Sequence, residues 1–170
     1  MSKTSQQIMI RPMTDQDSVS VLEIYKMGIE TRNATFETEV PAWMDWDLKH
    51  LQHSRFVYCK DEKILGWAAL SSVSTRPAYK GVAEISIYID TDFRAKGIGS
   101  QLMEKEIVSS EENDIWTLNS SVFHGNTATL KLHEKYGFRI IGFKEKVARL
   151  DNKWRNTILL ERRSKNSKFE

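Results

Sequence analysis

The chain has 170 residues, 40% of them hydrophobic, and carries 25 basic against 23 acidic side chains for a net charge of +2. That fits one folded domain with its own core and excludes a disordered composition, and the near-balance of charge argues against a nucleic-acid surface. The single cysteine, Cys59, lies in the apolar run RFVYC and allows no disulfide framework. The opening MSKTSQQIMI has no apolar segment long enough for a secretion signal or a membrane span, so a cytoplasmic protein is the default.

QIMIRPM reads as a first strand. MTDQDSVSVLEIYKMG reads as a helix, with Thr14 and Asp17 in capping-box spacing, a stripe of Val21, Leu22, Ile24 and Tyr25, and Gly28 as its end. IETRNATFETEV is polar and irregular. A short helix follows Pro41, with Trp43 and Trp46 one turn apart, as core or dimer-contact residues rather than a cofactor box. RFVYCK and ILGWAALSSV form a hairpin around DEK, and STRPAYKG is a loop. VAEISIYID alternates, with Glu84, Ser86 and Tyr88 on one face and Ile85, Ile87 and Ile89 on the other. DFRAKGIGSQL turns into a helix that runs to about Ser110. IWTLNSSVF is a strand, NTATLKLHEKYG a helix closed by Gly137, and FRIIGFKEKVARL and WRNTILLER two strands around DNK. This order predicts a single α/β domain with a mixed sheet, folded from about 8 to 162, with 163–170 as a frayed tail.

The glycine turn is not a dinucleotide fingerprint, because Leu102 stands where a third glycine belongs; nor does it have the Gly-Lys-Ser/Thr of a P-loop. Arg94-x-x-Gly97-x-Gly99 can still serve an anion: the first turn of a helix has unpaired N–H groups and the positive end of its dipole, and Arg94 and Lys96 add charge. A tight strand-to-helix turn with solvated basic residues accounts for the same spacing. Further on, Asn126 stands at a helix start and His133 follows seven residues later, two turns or about 10 Å along the axis. A core stripe of Ala128, Leu132 and Tyr136 leaves the Asn126–His133 line free of the core. An N-cap asparagine and a surface histidine is the plainer account of that pair.

Taken together, the segments resemble the GNAT family of acetyl-CoA-dependent N-acetyltransferases. The order of elements is that family's. Arg94-Ala95-Lys96-Gly97-Ile98-Gly99 matches its Gln/Arg-x-x-Gly-x-Gly/Ala pattern, and NTATLKLHEKYGF matches its second signature. RPAYKGVAEISIYID and NATFETE are similar to the phosphinothricin and methionine sulfoximine acetyltransferase branch. The resemblance implies a mixed, mostly antiparallel sheet flanked by helices. It implies that the coenzyme A diphosphate lies on Arg94, Ala95, Lys96, Gly97, Ile98, Gly99 and Ser100, with Asn126 also on the cofactor. It implies that the strand at Ile87, Tyr88 and Ile89 keeps an open edge for the pantetheine arm. It implies a homodimer, and no metal.

Acetyl transfer needs a neutral amine, a donor for the developing carbonyl charge, and a tolerable leaving thiolate. Glu84, in an otherwise apolar run, is the candidate for taking the amine's proton. The position where many family members place a donor tyrosine holds His133, whose imidazolium would serve the leaving sulfur. Arg76 and Tyr79, in TRPAY, are read on the substrate side, with Arg76 for a carboxylate or phosphinate. Ser74 replaces a second basic residue common in the branch. Phe36 and Glu37 are expected as an apolar wall and an ammonium partner. Two alternatives stand beside the small-amine enzyme: a protein or peptide N-acetyltransferase, and an acetyl-CoA-binding domain without turnover.

Overall fold

The computed structural model describes residues 6–170. The first five residues, part of the segment read above as carrying no secretion signal, lie outside them. Seven strands form one sheet: β1 (Ile8–Pro12), β2 (Phe56–Lys60), β3 (Lys63–Ser72), β4 (Val82–Ile89), β5 (Thr117–Phe123), β6 (Arg139–Leu150) and β7 (Lys153–Arg163). Their order across the sheet is β1-β2-β3-β4-β5-β7-β6. Every pairing is antiparallel except β4 with β5. Helices α1 (Ser18–Glu30) and α2 (Trp43–Lys49) cover one face, and α3 (Ile98–Glu112) and α4 (Thr127–Lys135) the other. Among the described residues no helix is long and apolar enough to cross a membrane.

The alternation of β4 sorts its side chains as expected. Ile85 and Ile87 pack with Met103 and Leu132 on the α3–α4 side, while Tyr88 joins Tyr25, Trp46 and Trp67 on the α1–α2 side. Gly28 does not end α1, which continues to Glu30; a Cβ there would lie 2.5 Å from the Tyr88 ring, so this glycine admits that ring. Asp17 fills its half of the capping arrangement, its carboxylate accepting from the Thr14 N–H at 2.8 Å. It also pairs with Arg11, and that bond holds its pKa below the usual carboxylate value. Cys59 is buried and unpaired. The last strands meet in a two-residue turn, Asp151-Asn152, with φ of 49° and 61°, which matches the twist of a hairpin.

Two expectations fail here. Ala128 is exposed and does not belong to a core stripe; the deeply buried side chain of α4 is His133. The terminal segment is not frayed. The Ser164 N–H donates to the Trp116 carbonyl at 2.8 Å and its hydroxyl to Glu111 at 2.7 Å, and Ser167–Phe169 forms a 3-10 turn held by Arg163. A polar tail lacks the apolar periodicity that marks an element in sequence, yet hydrogen bonds tie it down.

The functional consequence of the fold lies between β4 and β5. They pair only from Val82 to Glu84 against Thr117 to Asn119. Beyond that, β4 stays with β3 along Gly66–Ser72 and β5 stays with β7 along its whole length. Each strand follows its other partner, so the two part, and among the described residues no strand pairs with the edge of β4 from Ile85 onward.

Candidate active site

The parting strands open a cleft of about 520 Å³. One wall is β4 with Glu84, Ser86 and Tyr88. The other is the end of β5, with Ser120 to Phe123 and Asn126 beyond it, and His133 of α4 closes one side. Residues Ala34 to Glu37, from the segment between α1 and α2, line the cleft, as do Asp45, Trp46 and Lys49 of α2 and His50 just after it.

Glu84 stands in the last pair before the strands part, opposite Asn119. Water reaches its side chain, but protein surrounds it on the other sides, and this partial burial raises its pKa while nearby Lys49 opposes the rise. A raised pKa suits a proton acceptor working near neutrality. Phe36 lies edge-on to Phe123 with ring centres 4.7 Å apart, Glu37 is 3.9 Å from Lys49, and both line the cleft.

The two glycines of the turn answer to different demands. Gly97 caps α3 with φ of +82° and open space around it, so the requirement is backbone conformation. A Cβ on Gly99 would lie 3.1 Å from Ile89 and 3.2 Å from Leu132, so there the neighbour is protein. Arg94, Ala95, Lys96 and Gly97 are exposed, and the Gln101 N–H is the first to bond back along the helix, to the Gly97 carbonyl. The N–H groups of Ile98, Gly99 and Ser100 are thus the unpaired first turn that an anion needs. Ser100 is half-buried and accepts from Lys135 at 3.3 Å.

The structure places four of the expected site residues as follows. Arg76 and Tyr79 do not line the cleft; both are exposed, with the guanidinium 5.9 Å from the tyrosine ring centre. The loop that carries them lies past the ends of β3 and β4, outside the gap. Asn126 is employed within the protein: its Oδ1 accepts from the Thr129 N–H and its Nδ2 donates to the Asn33 carbonyl at 3.1 Å. It caps α4 and tethers the α1–α2 segment while standing in the cleft wall. His133 lines the cleft. Burial lowers its pKa, and Nδ1 lies 2.7 Å from the Thr129 carbonyl, which can only accept. Nδ1 therefore carries a proton that it donates to that carbonyl, and burial disfavours a second proton on Nε2.

The sequence reading missed Lys49 and His50. His50 repeats the arrangement of His133, with Nδ1 2.7 Å from the carbonyl four residues back, that of Trp46; burial pulls its pKa down to about 4. Its ring stacks on Trp46 at 4.0 Å. Asp45 and Lys49 are four apart and so share a helix face, but nothing local says that this face meets the cleft.

An open strand edge, an anion-ready helix start at its far end and a raised carboxylate at the apex together suit an extended, phosphate-bearing ligand beside a proton acceptor. The sequence pattern of the acetyltransferase (GNAT) family matches residues 21–138, and the chain belongs to that family. A phosphinothricin N-acetyltransferase of Alcaligenes faecalis is 31% identical over 164 residues, 90% of this chain and 81% of that one. An L-methionine sulfoximine/L-methionine sulfone acetyltransferase of Pseudomonas aeruginosa is 27% identical over 153 residues, 85% of this chain and 88% of that one. The crystal structure of a phosphinothricin acetyltransferase from Sinorhizobium meliloti in complex with acetyl-CoA shares the fold, with a TM-score of 0.84 at 22% identity over 92% of this chain and 88% of that one. The protein is an acetyl-CoA-dependent N-acetyltransferase.

Proposed function

We propose that the protein moves the acetyl group of acetyl-CoA to the amine of a small amino-acid-like acceptor by direct attack, with both molecules bound. The observation that carries this reading is Glu84 at the apex of the cleft, between a free strand edge and a compartment walled by Phe36 and Glu37. The edge at Ile87, Tyr88 and Ile89 offers backbone groups to the pantetheine arm as a strand would. The turn from Arg94 to Ser100 offers its N–H groups and basic side chains to the diphosphate.

An ammonium has no lone pair, so the acceptor must first lose a proton. Glu84 takes it, directly or through water. The amine nitrogen then bonds to the acetyl carbon, the carbon–sulfur bond breaks, and one remaining N–H proton passes to sulfur. Amine and thioester become amide and thiol. A thiol of pKa about 8.5 leaves without a dedicated acid, which agrees with the burial that disfavours a second proton on His133. Among the described residues lining the cleft, Lys49 is the one Lys or Arg, facing Glu37, Asp45 and Glu84. Lys49 receives the acceptor's acidic group, the part expected of Arg76, and Glu37 its ammonium. One cation among three carboxylates favours an acceptor with a single acidic group over a doubly anionic one.

The test is a panel of free amino acids, sulfoximine and phosphinate analogues and peptide N-termini, read by thiol release from acetyl-CoA. Turnover confined to peptides, or acetyl-CoA binding with no turnover, refutes the reading. A homodimer is supported by β6, which exposes Ile140, Ile141, Phe143 and Val147, with Trp154 exposed on β7. Sedimentation of wild type against Phe143→Lys tests it.

A further inference from the structure

The segment between α1 and α2 starts on one side of the cleft and is fastened from the other. Arg155 of β7 donates through Nη1 to the Arg32 carbonyl at 2.7 Å and through Nη2 to Asn33 Oδ1 at 3.1 Å. Asn126, at the start of α4, donates to the Asn33 carbonyl at 3.1 Å. The Arg155 guanidinium also lies 4.2 Å from the Phe123 ring centre, and Phe123 is the ring that Phe36 meets edge-on. Arg32 itself has φ of +55° and reaches Asp151 at 3.2 Å. The bonds converge on two residues, Arg32 and Asn33, immediately before the stretch Ala34 to Glu37 that lines the cleft.

We infer that Arg155 is a positioning residue for the acceptor site: with Asn126 it clasps Arg32 and Asn33 to the far wall and so sets where Phe36 and Glu37 stand relative to Glu84. The inference rests on the acceptor site proposed above. A planar guanidinium suits this part because its fork satisfies two acceptors at once while its face packs on an aromatic ring. Without it, the segment keeps the Asn126 tether and the rotatable contact of Phe36, and Glu37 loses a fixed position. Misplacement of about 1 Å at an acceptor site can slow turnover by two powers of ten. The turn at Arg94 to Ser100 takes no part in the clasp, so acetyl-CoA binding is independent of it.

Two measurements test this. Arg155→Gln and the milder Asn33→Ala should each raise KM for the amine by roughly tenfold or more, leaving the acetyl-CoA Kd from calorimetry within about twofold. The double variant should be no worse than Arg155→Gln alone, because both remove one shared bond. Separately, a spin label on Ala34→Cys, with the native Cys59 buried, should become more mobile when Arg155→Gln is added. That second readout needs no turnover. A wild type that acetylates no free amine would sink the acceptor reading, and the label would still report whether the clasp exists. An unchanged label mobility, an unchanged KM, or an equal loss of acetyl-CoA affinity overturns the inference.

Discussion

Replacing Glu84 by Gln keeps the side chain's volume and removes its capacity to take a proton. The structure sets the size and shape of the effect. The carboxylate stands where β4 and β5 part, and its pKa is raised by partial burial against the pull of Lys49. Wild-type kcat/KM should therefore fall as pH drops through a value above the ordinary glutamate range, because protonated Glu84 accepts nothing. At neutral pH the Gln variant should lose the 10²–10⁴ that a positioned general base contributes, about 3–5 kcal/mol of barrier at 1.36 kcal/mol per power of ten. Its remaining rate depends on amine that is already neutral, so it should climb about tenfold per pH unit until the amine itself titrates. Lys49 adds a check: Lys49→Met should push the wild-type acid limb to higher pH, since it removes the charge that opposes the rise. The assay is thiol release over pH 5–10 at saturating acetyl-CoA. A Glu84→Gln variant as fast as wild type at neutral pH, or one with an unmoved acid limb, would refute the assignment and leave an enzyme that works by positioning alone.

Further outcomes follow from other parts of the molecule. Gly97→Ala forces a Cβ into a left-handed backbone and should cost about 1–2 kcal/mol in thermal unfolding, with weaker acetyl-CoA binding by calorimetry; Gly97→Asn should behave more mildly, and equal behaviour would mean that the turn relaxes freely. Lys49→Ala should raise KM for an acidic acceptor roughly ten- to hundredfold, whereas exposed Arg76→Ala should leave it within about twofold; the reverse pattern would return the role to Arg76. Glu106, fully buried in α3 with neither carboxylate oxygen partnered among the described residues, has its pKa raised well above 4.5 by burial. Its folded pKa exceeds the unfolded one, so its stability contribution is intact below about the unfolded value and declines as pH rises toward the folded one. Glu106→Gln should therefore gain on wild type in melting temperature as pH rises from 4.5, and a gap constant with pH would refute this.

What the sequence determined by itself is the succession of elements and the face each strand presents. Seven strands and four helices follow from local patterns: alternation in β4, the Gly97 turn, Asn126 as an N-cap, the Asp151-Asn152 hairpin. These patterns are local because backbone preference and periodic burial act over a few residues. Glu84, Phe36 and Glu37 were also legible, since a carboxylate in an apolar strand and the branch-like NATFETE loop mark their places without tertiary detail. The tertiary structure decided which other side chains share the cleft. Lys49 and His50 enter it because α2 packs over β3 beside the gap, and Arg76 and Tyr79 stay out because their loop lies past the strand ends. His133 became buried only when α4 packed onto the sheet, where its ring meets Phe138 at 4.8 Å between centres. The cleft itself exists because β4 follows β3 while β5 follows β7, a conflict between partners far apart in the chain that no window of sequence contains.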